Sequence, residues 1–527
     1  MISFSWNVIQ LILVSIIILV TSSLIQQYQD DLVQKFNDSI PNLIQEAVSS
    51  SQSKASQLET ISKLINSYKQ ILENSFGSTD ESYHQVRKNQ NLAFGYVADL
   101  DIYVDALELM KQLGFNQFQQ PNFHDSLLNK QEVGETFSYY FEKGAGSELF
   151  VQNKQLFDEI VDISKKIQKK DGLGGNASTM AARAFKEGTK VILGHAMNKK
   201  FYKEIFQEKA ILVEELSEIK DVHLVLDYYK DETWGGKATP RSNRMYLNHD
   251  IENSQLSYMD RLHDFIRKTP NLSLDILGLG GFQLLNHRNA TEISHLMKKL
   301  GKELLEMRMY GPKIHMEMGT FTDDHLLSEL IKHPLLQTDS IGLNEQELKN
   351  LIQYLENQHF IEAVSSEFEL NQALNDVLKL VSLFNKYKFK INRVHYHTIN
   401  LQMICSNVNE WESSKLALVK SITVALQESE NKERTFFDFE PQKLKISIPE
   451  QIILPFFDET FNIISSDSEK KSIEFNPEDP VSCWNPHKSI ECCVAPNIQV
   501  IHPQKTCGLG DNISSTGLVY HKVISNQ

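Results

Sequence analysis

The chain has 527 residues, 41% of them hydrophobic and 23% charged, enough for a packed core and more than one compact core usually holds. Its net charge of −15 excludes nucleic acid as the main partner, because a phosphate backbone calls for a basic face. Five cysteines, with Cys483, Cys492, Cys493 and Cys507 close to the C-terminus, exclude a disulfide-built scaffold. A single bridge can form, and at least one thiol stays unpaired within a monomer.

Val8 to Leu24 is mostly apolar and uncharged, at the short end for a membrane span and long enough for the core of a signal peptide. No Lys or Arg precedes it, and Thr21-Ser22-Ser23 is only a fair cleavage site. Residues 1–25 are therefore read as an uncleaved anchor or a cleaved signal. Either one directs the chain into the secretory pathway, with the membrane as a partner only if the segment is retained. Residues 26–90 read as a helical spacer that packs on the body. Leu58, Ile61, Leu64, Ile65, Tyr68 and Leu72 recur at helical spacing as one apolar stripe, Pro41 breaks the region and Ser49–Ser53 is polar.

From Asn91 the pattern changes. Leu92–Ala98 is an apolar run of strand length. Lys190–Gly194, Val222–Leu226, Leu274–Leu279, Lys313–Glu317 and Arg393–His397 follow, alternating with helical patterns. Such alternation predicts an α/β fold with a largely parallel sheet covered on both faces, which binds ligands at the carboxyl ends of its strands. No Walker phosphate loop, dinucleotide fingerprint or internal repeat appears.

Several predicted strand ends carry polar groups. Asp101 follows the first strand. Gly144-Ala145-Gly146-Ser147-Glu148 places one carboxylate after small residues. Gly174-Gly175-Asn176-Ala177 opens a helical run, and a double glycine before an amide suits close approach to a polyhydroxyl ligand, or equally a capped loop. Alternation puts His315 and Glu317 on one face. Asn344 and Glu347 stand one helical turn apart in Ser340–Leu348. Glu317 and Glu347 suit Mg²⁺, directly or through its waters; the competing roles are a strand-end ion pair and a surface helix residue. His249 and His397 have no ligand-like spacing and are read as structural.

Near the C-terminus, Thr506-Cys507-Gly508-Leu509-Gly510-Asp511-Asn512-Ile513-Ser514 sets two glycines before a lone carboxylate at a helix start. Backbone N–H groups there can gather an anion, and Asp511 can take a proton from a hydroxyl attacking a bound phosphate. A glycine turn with an Asp cap reads the same way.

The order of GGNA, HMEM, SIGLNEQEL, RVHYHT and TCGLGDNIS resembles the ADP-dependent glucokinase family of the ribokinase superfamily, over roughly Asn91 to Val523. It is most similar to the eukaryotic, secretory-pathway branch, which implies the endoplasmic reticulum. SIGLNEQEL and GLGD together are highly specific, although GLGD alone is shared by ATP-using sugar kinases. The stretch from Trp234 through Arg244 is also similar to the family. The resemblance implies a ribokinase-like doubly wound sheet over 91–527, with a smaller β-containing lid drawn from about 102–168 and 222–253. It implies phosphorylation of glucose at its 6-hydroxyl, with ADP as donor, AMP as product and one Mg²⁺.

By the same resemblance Asp511 is the general base, and the backbone at Gly508, Gly510 and Asp511 is the anion hole. Glu317 and Glu347, with Asp511 nearby, position Mg²⁺. Arg244 reaches the ADP phosphates, Asn344 belongs to the nucleotide site, and Val500 and His502 lie by the adenine. Asp101, Glu148, Gly175 and Asn176 contact the sugar. Relatives that phosphorylate fructose 6-phosphate lack the Glu148 carboxylate, which would repel the sugar phosphate. A monomer is expected.

One position departs from the pattern. Where the family has Gly-x-Asn after its first strand, this chain has Gly95-Tyr96-Val97, which removes a sugar hydrogen bond worth about 1 kcal/mol, with Asp99 as a candidate substitute. The alternatives are a ribokinase-like kinase with another donor or sugar, and a membrane-anchored, catalytically weak relative. Sequons begin at Asn37, Asn176, Asn271, Asn289 and Asn512. Glycans are expected at Asn37, Asn271 and Asn289 only, because at Asn176 and Asn512 they would block the site.

Overall fold

The computed structural model describes residues 55–76, 90–117, 119–269, 271–321, 323–357, 369–430, 439–447, 451–464, 471–505 and 507–524. The apolar segment Val8–Leu24, Pro41, the Ser49–Ser53 patch and the sequon at Asn37 lie outside these residues. Among the described residues no helix is long and apolar enough to cross a membrane. The chain divides into two compact units, Met1–Ser62 and Lys63–Gln527. In the first, residues 55–62 are helical.

The larger unit opens with helical residues 63–76, where Leu64, Tyr68 and Leu72 are buried, as their spacing predicts. The Tyr68 hydroxyl donates to the Pro496 carbonyl at 2.7 Å. A ten-stranded sheet then forms the body. Across it run Ile211–Leu212, Lys190–Gly194, Asn91–Gly95, Ile276–Leu279, Lys313–Glu317, Ser340–Leu343 and Arg393–His397, all parallel. Leu401–Asn407, Ile490–Pro496 and Ser482–His487 extend it antiparallel. The parallel strands are buried almost throughout, which is why they read as continuous apolar runs.

A second sheet of six strands contains Asp99–Asp105, Ser126–Leu127, Ser147–Val151, Lys170–Gly174, Val222–Tyr228 and Asn243–Asn248. Val222–Leu226, grouped by its pattern alone with the strands of the large sheet, belongs here, in the lid range 222–253 that the family resemblance implied. An apolar run of strand length does not encode which sheet receives it; pairing with Asp99–Asp105 does. Alternation splits this sheet cleanly. Ile102, Val104, Leu224, Leu226, Met245 and Leu247 pack into a core with Leu109, Phe137, Phe141 and Ile160 from three covering helices. The intervening residues, Asp99, Asp101, Tyr103, His223, Arg244 and Tyr246, take the opposite face.

Two disulfides, Cys405–Cys492 and Cys483–Cys493, join the antiparallel strands, one more than the cysteine count alone suggested. Cys507 is free and buried.

Candidate active site

The helix Leu509–Tyr520 starts at Gly508, whose φ of +65° suits glycine and turns the chain into the helix. The first N–H groups of the helix have no intrahelical acceptor. Asp511, in this first turn, accepts from Asn176 Nδ2 at 2.8 Å. Asn176 opens its own helix, Asn176–Lys186, behind Gly175 at φ +91°. A Cβ on Gly175 would lie 2.8 Å from the Val97 carbonyl, so the double glycine lets this turn press against the end of the first strand.

Glu317, at the end of its strand, is 4% exposed. His397 Nε2 lies 3.1 Å from its Oε1, and His315 Nε2 faces its Oε2 at 3.5 Å. A Cβ on Gly510 would stand 3.5 Å from Glu317 Oε1, which places the start of the C-terminal helix directly over this carboxylate. Burial alone would raise Glu317, but the neighbouring His315 and His397 imidazoles hold it at about 2. Asp511 goes the other way: burial, then the charge of Glu317, pushes it up to about 8.

Asn344 caps the helix Glu345–Asn357, its Oδ1 accepting from the Glu347 N–H at 3.1 Å. Glu347 reaches back to the Asn344 N–H at 2.8 Å and Nδ2 at 2.9 Å, a reciprocal capping box. Glu347 is buried, and burial followed by the charges of Glu317 and Asp511 raises it well above the ordinary carboxylate range. Glu317, Glu347 and Asp511 therefore repel one another. One oxygen of Glu317 is buried without a hydrogen-bond partner. Crowded carboxylates, one oxygen of which is met only by the His315 imidazole at 3.5 Å, fit a hard divalent cation.

The opposite wall comes from the polar face of the smaller sheet. Glu148 Oε2 accepts from Gln283 Nε2 at 3.2 Å, and the same amide reaches Asn176 Oδ1 at 3.2 Å. Gln283 thus spans from Glu148 on one sheet to Asn176 beside Asp511. Donor atoms of Asp99, Asp101 and His223 lie within 4.8 Å of one another. His223 Nε2 meets both oxygens of Asp250 at 3.0 Å. Burial disfavours its imidazolium, yet Asp250, Asp99 and Glu148 together raise it well above its usual range. The Tyr103 hydroxyl joins Asp101 Oδ2 at 3.0 Å to Cys507 Sγ at 2.8 Å, which fastens this face to the glycine motif. Arg244 stacks at 5.5 Å from the Tyr246 ring, and its charge acts on Asp511.

The family model described as the ADP-specific phosphofructokinase/glucokinase conserved region matches residues 90–520. The chain belongs to the ADP-specific phosphofructokinase/glucokinase family. It is 23% identical over 455 residues to an ADP-dependent glucokinase of Bos taurus, covering 83% of this chain and 85% of the relative. It is 22% identical over 450 residues to a probable ADP-dependent glucokinase of Caenorhabditis elegans, covering 81% of this chain and 84% of the relative. Among solved structures, an ADP-dependent kinase complex with fructose 6-phosphate and ADPβS superposes with a TM-score of 0.59 at 14% identity, covering 87% of this chain and 97% of the other. A hypothetical ADP-dependent phosphofructokinase from Pyrococcus horikoshii OT3 gives 0.56 at 17% identity, covering 82% and 98%. These likenesses show that the chain shares the fold of those ADP-dependent kinases.

Within that family frame, the structure brings together Gly508, Gly510, Asp511, Asn176, Gly175, Glu317, Glu347 and Asn344 on the body, and Asp101, Glu148 and Arg244 on the smaller sheet. The contacts of the remaining pair are local: Val500 pairs with Leu444 in a short ladder, and His502 is exposed. His397, read as structural from spacing, is a direct partner of Glu317, because the strand end that carries it abuts the glycine motif. His249 stacks on Phe150 with ring centroids 5.1 Å apart. His223, Gln283 and Asp250 escaped the sequence. For His223 the signal was present, since it alternates with apolar Leu224 and Leu226. Gln283 sits in a short 3₁₀ turn with no pattern to mark it.

Val97 is fully buried against Gly281, where a Cβ would meet it at 2.6 Å. Asp99 does not take its place in the cleft. It is fully buried under Gly174 and Gly175, with His223 Nδ1 3.6 Å away and, among the described residues, no hydrogen-bond partner for either oxygen.

Proposed function

We propose that this kinase transfers the β-phosphoryl group of ADP to the 6-hydroxyl of D-glucose, giving glucose 6-phosphate and AMP. The observation that carries the choice of sugar is Glu148, whose carboxylate accepts from Gln283, the amide that also donates to Asn176 beside Asp511. An anion at this wall repels a phosphorylated acceptor and accepts hydrogen bonds from a neutral polyol. The name of the bovine relative supports the same acceptor.

The residues divide the chemistry. Glu148, Asn176, Gly175, Asp101 and Gln283 hold the sugar, with the 6-hydroxyl toward Asp511. Asp511 accepts the hydroxyl proton as the oxygen attacks the β-phosphorus and the bond to the AMP oxygen breaks. The unpaired N–H groups from Gly508 to Asp511 gather the charge on the moving phosphoryl group, and Arg244 neutralises it from the other wall. Asn344, Val500 and His502 complete the nucleotide side. Glu317 and Glu347, with Asp511, would hold one Mg²⁺ directly or through water. When bound, that ion supplies charge neutralisation between the phosphates. The chain acts as a monomer, and its two disulfides fit an oxidising, secretory-pathway compartment. Asn271 and Asn289 are exposed and open to glycosylation there, whereas Asn512 is buried.

A donor-by-acceptor activity matrix with Mg²⁺ tests this. Glucose with ADP is expected to release AMP, ATP to serve poorly and fructose 6-phosphate to be rejected. Transfer to fructose 6-phosphate in preference to glucose would overturn the reading. Gln283→Ala is expected to raise the glucose KM about tenfold with a smaller change in kcat, by removing one sugar-facing donor and the bond that orients Glu148. An unchanged glucose KM would remove Gln283 from the acceptor site.

The raised carboxyl of Asp511 sets a pH profile. In the free enzyme the base is protonated below about 8, so kcat/KM at low glucose and ADP should climb about tenfold per pH unit toward that value and level above it. A bound cation favours the carboxylate, so the same limb in kcat should lie at lower pH. Superimposed limbs in the two profiles would contradict this assignment.

A further inference from the structure

The C-terminal helix lies on an unusual bed. His315, Ser340 and Arg393 are direct neighbours on three adjacent parallel strands, and all three are fully buried. Over them the helix presents Gly510, Ser514, Gly517 and His521, at helical spacing. A Cβ on Gly517 would lie 3.0 Å from Arg393 Nη2 and 2.7 Å from His395 Nδ1. A Cβ on Gly342, the next small residue of the bed, would stand 2.4 Å from Ser514 Oγ.

Arg393 is the odd member. Its side chain is buried in the sheet, and among the described residues no carboxylate pairs with it directly. Two of its nitrogens have targets, while Nη2 is buried without a hydrogen-bond partner among the described residues. Nε donates to His521 Nδ1 at 2.8 Å, at the end of the helix that carries Asp511. Nη1 donates to Ser340 Oγ at 2.9 Å, and that hydroxyl meets His315 Nδ1 at 2.9 Å.

Because a guanidinium can only donate, the Ser340 oxygen acts as acceptor toward it, and its own proton can go to His315 Nδ1. That leaves the His315 Nε2 hydrogen facing Glu317 Oε2, where a bare ring nitrogen would oppose a carboxylate. Arg393 therefore has a defined line to Glu317 and a second one to the helix of Asp511. Its charge also sits at the negative end of that helix, while Glu317 sits at the positive end.

We propose that Arg393 is a positioning residue for phosphoryl transfer, setting Glu317 from below through Ser340 and His315 and seating the helix of Asp511 through His521. This rests on the kinase reading above. A buried guanidinium without a paired carboxylate is expensive to keep for packing alone, and its two hydrogen-bonded branches end at the two elements that carry the acids.

The test uses the full chain with Arg393→Lys and Ser340→Ala. The readouts are kcat, glucose KM, the calorimetric Kd of Mg²⁺·ADP, and thermal unfolding. Lysine keeps the charge but cannot reach both Ser340 and His521. Arg393→Lys is expected to lower kcat at least about tenfold and weaken Mg²⁺·ADP binding several-fold, with glucose KM nearly unchanged. Ser340→Ala breaks only the branch to Glu317, so it should weaken Mg²⁺·ADP binding with a smaller loss of kcat.

Wild-type kcat and Mg²⁺·ADP affinity in Arg393→Lys would overturn the proposal. If that variant does not fold, wild-type Mg²⁺·ADP affinity in Ser340→Ala overturns it alone. A wild-type protein without ADP-dependent transfer would instead remove the kinase reading, and this inference with it.

Discussion

Asp511→Asn is expected to lower turnover at least about a hundredfold while leaving the protein as stable as before, or more so. The two halves have one cause. Asn keeps the shape of the side chain and still accepts from Asn176 Nδ2, now 2.8 Å away, so packing does not change. What disappears is a carboxylate that the site holds at a cost. In the fold Asp511 is pushed from 3.8 up to about 8 by burial and by Glu317. The sign follows from proton linkage. A carboxyl whose folded value lies above its unfolded value favours the folded state when protonated. That contribution is present in full at low pH and is lost as the pH rises from about 4 through about 8. Above that range ionised Asp511 works against folding, and Asn does not. Thermal unfolding at pH about 8.5 should therefore show Asp511→Asn melting at or above the wild-type temperature, with ADP-dependent transfer to glucose nearly abolished. A variant with normal turnover would refute the base assignment; one that melts well below wild type would refute the cause given for the raised carboxyl.

Gly342→Ala should be nearly as damaging to activity from a single added methyl. Alanine normally sits in a strand without penalty, and Gly342 needs no left-handed backbone. The added Cβ, however, would lie 2.0 Å from Glu317 Oε2 and 2.4 Å from Ser514 Oγ. Neither neighbour can yield cheaply. Glu317 is held by His397 and faced by His315, and Ser514 belongs to the helix that carries Asp511. Overpacking of this kind costs about 1–3 kcal/mol of stability. The larger consequence is geometric, since phosphoryl transfer depends on positioning and a displacement near 1 Å can cost about a hundredfold in rate. We expect turnover to fall at least about a hundredfold and Mg²⁺·ADP binding to weaken, with the melting temperature down by only a few degrees. Calorimetric titration beside the activity assay checks both. Wild-type Mg²⁺·ADP affinity in Gly342→Ala would show that Glu317 need not occupy its present place.

These two positions show how differently the chain discloses its parts. Asp511 stood out because glycines on either side of Leu509 precede it at a helix start, a pattern equally suited to a cap until the family resemblance gave the acid a role. Glu317 was legible because alternation in a short strand fixes the side it faces. Gly342 was quoted within SIGLNEQEL, but nothing local says that its missing Cβ is the space Glu317 occupies. That space arises only when two strands lie side by side under a helix from the end of the chain. The partner of His397 was hidden for the same reason. It stands 80 residues away, at the end of a strand two places across the sheet.

The chain by itself determined the alternation of strands and helices and the acid after the glycine turn. These follow from periodicity and backbone freedom, which act over a few residues. Tertiary structure alone decided that Val97 and Asp99 are fully buried and that Gln283 reaches both walls. It also decided that Arg393 lies under the helix bearing Asp511. Such facts depend on which distant segments meet, and no short-range pattern records them.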